Sequence, residues 1–378
     1  MPPLTVMIKP ASSRCNLRCR YCFYADVTVH RAVRDCGLMS EDTMRQLIRR
    51  CLAYADGSLS FAFQGGEPLL AGLPFYRAFT REVRRQNTRR IPVHYALQTN
   101  GTLLTEDFCR FFAENGFLLG VSLDGTRAVH DALRVRPDGG GSYDDVRQKL
   151  SLLERFGVPY NILCVVTRPL AEQAGEVWDA LKPFRYLQFI PCIDDFDRAP
   201  ADFSLSAEAY GRFLIAVFDG YEKAFRQGRP VSERVMDNYI ALLLGMEPEH
   251  CGMRGQCGQY LLLEADGSAY PCDFYVLDEW KLGHICEDSV ARLMKSEAMQ
   301  RFQAQSRNLP DGCRACPWLR LCRGGCRRNR EPFRDGAPSP NRFCESFRML
   351  FEARSDRMRA LAAQIRQNQT QYVTNTRK

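Results

Sequence analysis

Several things are scarce in this chain, and each scarcity excludes something. Only five of its 378 residues are histidine; they are scattered, with none of the close pairing a zinc hydrolase uses. No glycine-rich phosphate loop stands out, and no Ser/His/Asp order. No apolar run approaches the ~20 residues that span a bilayer, so no membrane segment is expected. The opening Met1-Pro2-Pro3-Leu4-Thr5 has no basic stretch leading into an apolar one, so no secretory leader is expected and the cytoplasm is the expected compartment. Neither sign of charge dominates: 52 Lys and Arg against 44 Asp and Glu leave +8. That charge is spread along the chain, whereas nucleic-acid binding calls for a concentrated basic stripe, so no nucleic-acid partner is expected. At 45% hydrophobic and 25% charged residues, the composition is that of a globular protein, neither disordered nor fibrous.

Cysteine is the one residue in excess. There are seventeen, an odd number and too small a share for a disulfide scaffold. In a reducing compartment such an excess reads as metal or redox chemistry.

Strand-length apolar runs alternate with segments of helical period. The predicted strands are Leu4–Lys9, Leu59–Gln64, Val93–Gln98, Phe117–Leu123, Tyr160–Val166 and Tyr186–Ile190, several of them nearly continuous in apolar residues, as in parallel strands covered on both faces. Between them, Ser40 and Thr105 stand where helices are capped, Pro74 suits a first helical position, and Gly116 and Gly157 suit helix ends. Six β-then-α units predict an α/β fold, an open (β/α)6 partial TIM barrel over residues 1–230, its working edge at the C-terminal ends of the strands. A flat doubly wound sheet is the rival.

Beyond about residue 245 periodicity fades, and nine cysteines fall between Cys251 and Cys344. Something other than apolar burial is expected to order this second region, residues 231–346. A last segment, 347–378, predicts an amphipathic helix (Phe347, Leu350, Phe351, Met358, Leu361, Ile365) packed back on the body, with a polar tail from Gln367 expected to fray.

Two cysteine patterns carry the chemistry. Cys15-x3-Cys19-x2-Cys22 follows the first strand. Three thiolates are one short of a structural zinc site, but on a [4Fe-4S] cube they leave one iron open. The second pattern is Cys251-x5-Cys257, Cys272, Cys313-x2-Cys316-x5-Cys322-x3-Cys326 and Cys344, enough for two four-thiolate sites. Taken alone these could be two zinc knots, paired sequentially or otherwise. The other cysteines (36, 51, 109, 164, 192, 286) lack partners at ligand spacing and read as packing residues. Arg320, Arg323, Arg327, Arg328 and Arg330 form a basic knot around Cys322 and Cys326, read as compensation for an anionic site.

The first pattern resembles the radical S-adenosylmethionine (SAM) signature. Gly65-Gly66-Glu67-Pro68, Gln98-Thr99-Asn100-Gly101 and Ser122-Leu123-Asp124-Gly125 follow successive strands, as that superfamily requires. The C-terminal spacing resembles the SPASM extension. More specifically, the chain is similar to anaerobic sulfatase-maturating enzymes in Met1-Pro2-Pro3-Leu4, Ile8-Lys9-Pro10-Ala11-Ser12-Ser13, Phe61-Ala62-Phe63-Gln64-Gly65-Gly66-Glu67-Pro68, Asn161-Ile162-Leu163-Cys164-Val165-Val166-Thr167 and Tyr270-Pro271-Cys272-Asp273-Phe274-Tyr275-Val276-Leu277-Asp278.

The resemblance implies three [4Fe-4S] clusters. One sits on Cys15, Cys19 and Cys22; the others pair in an interleaved way, Cys251, Cys257, Cys272 and Cys326 against Cys313, Cys316, Cys322 and Cys344. It implies SAM contacts at Tyr21, Gly65, Gly66, Glu67, Ser122, Arg134 and Ile193, the glycine segment through its backbone, and Asp273 as the base. The implied reaction oxidises a cysteine or serine in an unfolded sulfatase, within Cys/Ser-x-Pro-x-Arg, to Cα-formylglycine. A SAM-derived radical takes a β-hydrogen, Asp273 takes the thiol or hydroxyl proton, and an auxiliary cluster takes the second electron. A flavodoxin- or ferredoxin-like donor supplies the starting electron, and Arg14, where the family carries a small residue, lies on that donor's surface. The competing readings are a SPASM maturase that crosslinks a ribosomal peptide, and a non-catalytic zinc adaptor.

Overall fold

The structure, a computed structural model, describes residues 3–197, 199–334 and 336–375, with side chains as far as residue 368. Six parallel strands form its centre: β1 (Leu4–Ile8), β2 (Leu59–Phe63), β3 (Val93–Thr99), β4 (Phe117–Ser122), β5 (Tyr160–Val166) and β6 (Tyr186–Pro191). Each pairs in parallel with the next, and helices make the crossovers. A doubly wound sheet reverses direction at a switch point. Here the order runs β1 to β6 without reversal, which is the order of a (β/α)6 partial barrel. A two-residue β7 (Ser232–Glu233) extends it beyond β6.

The expected helix signals are in place. Ser40 accepts from the Thr43 N–H and Thr105 from the Phe108 N–H, and Gly157 ends its helix at φ 65°, a left-handed turn that costs glycine little. Pro74 is the third residue of the helix Gly72–Gln86, not the first; that position also lacks an intrahelical acceptor for its N–H, so proline is tolerated there. Phe61, Phe63, Tyr76, Phe79 and Phe117 are fully buried between the early strands and this helix.

The second region is more regular than its sequence suggests. β8 (Leu261–Leu263) lies parallel to β1 on the side away from β2, and β9 (Ser268–Tyr270) and β10 (Gly283–His284) continue the sheet antiparallel. The three leucines of β8 are wholly buried; strands of two or three residues are too short to display a period. The helix Cys344–Asn375 buries Leu350, Phe351, Met358 and Leu361. Its Arg354 and Arg357 reach Asp219 of the helix Ala207–Arg226 at 2.8 and 2.7 Å. The backbone of this helix runs on past Gln367 to Asn375. Residues 376–378 lie outside the described residues. Among the described residues no helix is long and apolar enough to cross a membrane.

Candidate active site

The loop from Lys9 to Cys22 leaves the C-terminal end of β1 and is fastened by backbone to the loop after β2. Gly66 N–H donates to Ser12 O at 3.0 Å and Glu67 N–H to Arg14 O at 2.7 Å. A Cβ at Gly66 would lie 2.0 Å from Arg14 O, and Gly65 holds φ +122°, so the approach requires glycine. Glu67 is fully buried, and its carboxylate accepts from Leu69 N–H (3.0 Å), Thr99 Oγ1 (2.8 Å) and Asn100 N–H (2.8 Å). Burial pushes its pKa up to about 7. The side chain is thus a brace between β2 and β3; only the segment's backbone is left to meet a ligand. Arg14 turns its side chain outward to Asp35 at 2.7 Å.

The three loop thiols lie within one another's electrostatic reach. Burial, and the proximity of Cys22, push the Cys15 thiol up; burial takes Cys19 to about 11 despite Arg134 nearby. Arg134 is buried, donates to Tyr21 Oη at 2.6 Å and lies 3.7 Å from Asp124, while the Tyr21 hydroxyl donates to Asp124. Burial opposes the Arg134 charge, but Tyr21, Cys19 and Asp124 outweigh it and raise its pKa. Its Nε is buried without a partner among the described residues. Ser122 ends β4 and Ile193 lies two residues beyond β6, so both stand at the same C-terminal edge.

Asp273 comes from the distant second region and reaches this edge. It opens the short turn Asp273–Tyr275 that follows β9. Gln64 Nε2, one residue before Gly65, donates to its Oδ2 at 3.1 Å, and the Tyr260 hydroxyl to its Oδ1 at 3.0 Å. The parallel pairing of β8 with β1, continued by Lys9 N–H to Leu263 O at 2.9 Å, fixes that meeting. Phe23, just after Cys22, packs on Phe274 with ring centroids 4.7 Å apart. Tyr24 feels the charges of Asp273, Cys22 and Cys272 together, and burial raises its pKa.

The eight remaining thiols gather in two groups. Cys272 is in electrostatic contact with Cys326 and Cys257, and Cys326 with Cys251 and Cys257. Cys322 is in contact with Cys344, Cys313 and Cys316. This grouping is interleaved, not sequential. Burial pushes Cys322 to about 11 and Cys326 to about 12. Backbone N–H groups of Arg327 and Arg328 point at Cys257 and Cys326. Among the described residues no three metal-binding side chains converge tightly enough to hold one ion. The basic knot divides: Arg327, Arg328 and Arg330 are buried, whereas Arg320 is exposed and Arg323 turns to Glu247 at 3.3 Å. Of the unassigned cysteines, Cys51, Cys109, Cys164 and Cys192 are buried.

Comparison with known proteins agrees with this arrangement. Residues 10–173 match the radical SAM superfamily and residues 251–317 an iron–sulfur cluster-binding domain, SPASM. The chain is 44% identical over 356 residues to the cysteine-type anaerobic sulfatase-maturating enzyme of Clostridium novyi, covering 93% of this chain and 95% of that one. It is 32% identical over 371 residues to the serine-type enzyme of Bacteroides thetaiotaomicron, covering 93% and 89%. A solved structure, native anSMEcpe with bound AdoMet and Cp18Cys peptide, superposes with TM-score 0.92 at 38% identity, covering 96% of this chain and all of that one. The chain belongs to the anaerobic sulfatase-maturating enzymes.

Within this sulfatase-maturating scaffold the structure adds residues that the sequence reading passed over. Asp124 joins Tyr21 to Arg134, and its Oδ1 accepts from Val165 N–H at 2.9 Å. His130 accepts from the Asp124 N–H at 3.2 Å and is held neutral, its pKa pushed down to about 3 by burial and Arg134. Gln64 and Tyr260 orient Asp273. Lys9 and Arg31 both pair with Glu264, all three buried, tying the cysteine loop to the end of β8. The Asp124 signal lay in the quoted Ser122-Leu123-Asp124-Gly125 segment; the Lys9–Glu264 pair spans 255 positions and has no local signature.

Proposed function

We propose that this protein uses SAM to oxidise a cysteine or serine side chain of an unfolded sulfatase polypeptide to Cα-formylglycine. One observation carries the reading: Asp273 is hydrogen-bonded to Gln64, the residue that leads into Gly65-Gly66-Glu67-Pro68, so a proton acceptor and the cysteine loop share one strand edge. A chain that only bound zinc has no need of that convergence.

The residues fit the groups they would hold. Cys15, Cys19 and Cys22 take one [4Fe-4S] cluster; Cys251, Cys257, Cys272 and Cys326 take a second, the inner one; Cys313, Cys316, Cys322 and Cys344 take a third, the outer one. The match of residues 251–317 to an iron–sulfur cluster-binding domain supports iron–sulfur clusters over zinc there. Thiols with raised pKa values must shed protons to bind, so loading releases protons and stabilises the fold. Bound at the first site, the cluster and SAM supply the electron and the carbon radical that removes a hydrogen atom.

The chain's own residues do the rest. The Gly65–Gly66 backbone, Ser122, Tyr21, Arg134 and the apolar Ile193 would position SAM. Gln64 and Tyr260 hold the Asp273 carboxylate in one orientation, ready to accept the substrate's thiol or hydroxyl proton. A flavodoxin- or ferredoxin-like protein delivers the electron on the side where Arg14 faces outward, and the reaction takes place in the cytoplasm. We divide the chain into a barrel (1–230), a cluster-binding region (231–346) and a closing helix (347–378).

The test is to incubate anaerobically reconstituted protein with SAM, reductant and a Cys-x-Pro-x-Arg peptide, then weigh the peptide. Replacement of the thiol by an aldehyde is expected. A crosslinked peptide, or an unchanged one beside active SAM cleavage, would overturn the assignment.

A further inference from the structure

Arg330 is a buried cation that no carboxylate meets among the described residues. It is 2% exposed. Nη1 donates to Asn308 O at 2.5 Å and Nη2 to Ser306 O at 2.7 Å, both neutral acceptors. Its Nε is buried without a partner, and among the described residues no carboxylate pairs with it. Arg327 is different: Glu331 meets it at 2.9 Å, and the rings of Tyr275 and Phe333 lie 4.3 and 4.4 Å from its guanidinium carbon.

One of the two acceptors of Arg330 leads to a cysteine: Ser306, whose carbonyl takes the Nη2 proton, accepts at its hydroxyl from the Cys257 N–H at 2.9 Å. The electrostatic neighbours of Arg330 are Cys257 and Cys326 of one thiol group and Cys313 of the other, so it stands between the two. An unanswered buried charge costs several kcal/mol. Neutral thiols do not offset that cost, whereas a thiolate-ligated cluster, which is net anionic, does. An electron added to such a cluster makes it more negative still, so a fixed neighbouring cation favours the reduced form.

We propose that Arg330 is the counter-charge shared by the two C-terminal clusters, a positioning residue that raises their reduction potentials. The inference rests on the two-cluster reading above. Its consequence for the reaction concerns the second of the two electrons leaving the substrate, the first having left with the hydrogen atom. The inner cluster, nearest Asp273, accepts that electron more readily because Arg330 is beside it.

The experiment uses the full chain carrying Cys15→Ala, Cys19→Ala and Cys22→Ala, so that only the C-terminal region holds iron, and follows its reduction by electron paramagnetic resonance during a redox titration. Arg330→Gln is expected to lower the reduced-to-oxidised ratio at fixed ambient potential at least tenfold, a midpoint ~59 mV lower. Arg330→Lys keeps the charge and is expected to stay within about threefold of the parent. A loaded Arg330→Gln protein that titrates like the parent would overturn the proposal, as would an Arg330→Lys shift equal to that of Arg330→Gln. Should Arg330→Gln take up no iron, Gln305→Glu serves in its place. Gln305 accepts from Arg327 at 2.6 Å, and this change of equal shape adds a negative charge to the same cluster of arginines. It is expected to lower the ratio at least ~3-fold, and an unchanged midpoint would overturn the proposal. Zinc in place of iron in the parent would overturn the two-cluster reading, and the proposal with it.

Discussion

The cysteine loop of residues 15–22 and the eight cysteines from 251 to 344 are ordered by different means. The loop borrows its shape from the sheet. It leaves β1, is pinned by backbone hydrogen bonds to Gly66 and Glu67, and Glu67 is in turn held by Thr99 and Asn100. Among the described residues the second region has strands of only two or three residues, and its thiols fall into two groups of four. We propose that the first site takes its shape from the sheet before metal arrives, whereas the second draws more of its stability from its metal.

The sharpest way to break this comparison is to remove ligands on each side. Cys19→Ala should abolish SAM cleavage, read as 5′-deoxyadenosine, and leave the melting temperature nearly unchanged, because backbone bonds hold the loop. Cys313→Ala should spare some SAM cleavage but lose peptide oxidation and lower the melting temperature. A Cys19→Ala protein that made 5′-deoxyadenosine at the normal rate would refute the loop assignment.

Glycines sharpen it next. Gly66→Ala drives a Cβ to 2.0 Å from Arg14 O, and the shift needed to relieve it should cost at least ~10²-fold in SAM cleavage. Gly312, beside Cys313, has nothing within 4 Å of its added Cβ. Gly312→Ala should stay within about 0.5 kcal/mol in a denaturant titration, and equal losses from the two changes would contradict a preformed loop beside a metal-ordered region.

Asp273→Asn tests the point where the two regions meet. It keeps shape but cannot accept the proton, so formylglycine formation should fall by ~10²-fold while 5′-deoxyadenosine is still made. Wild-type peptide turnover in this variant would return Asp273 to the role of a turn residue beside Cys272.

The last effect is one of pH and belongs to Glu233, in the strand β7 that pairs with β6. Burial raises Glu233 from 4.5 to about 7, so the folded state holds its proton more tightly than the unfolded chain. Its stabilising share is full below pH 4.5 and is lost as pH rises through 7, by up to ~3 kcal/mol at ~1.4 kcal/mol per pH unit. Glu233→Gln should flatten that part of the stability–pH curve for the metal-free protein between pH 5 and pH 8; an unaltered slope would remove Glu233 as its source.

The six barrel strands were legible because buried parallel strands are continuous apolar runs, and their C-terminal ends pointed to the site. β7 to β10 were not, since two or three residues carry no period. The loop cysteines stood out through local spacing, whereas the glycine segment and Asp273 stood out only through their resemblance to the family's motifs. Gln64 as the partner of Asp273 did not, because the contact joins positions 209 apart. The interleaving of the thiols is likewise a property of how β8, β9 and the later turns return past one another, which spacing alone leaves open. The arginine knot was legible as charge, but which arginines turn inward is decided by the aromatic rings and carbonyls that receive them.

Metal content tests the central claim most directly: one preformed three-cysteine site and two metal-ordered four-cysteine sites on a single chain. Anaerobic reconstitution followed by iron, sulfide and zinc analysis should give about twelve iron and about twelve sulfide per chain, falling to about eight of each when Cys15, Cys19 and Cys22 are replaced together. A chain that held only about four iron, with zinc on the remaining thiols, would keep the SAM site and contradict the account of the second region.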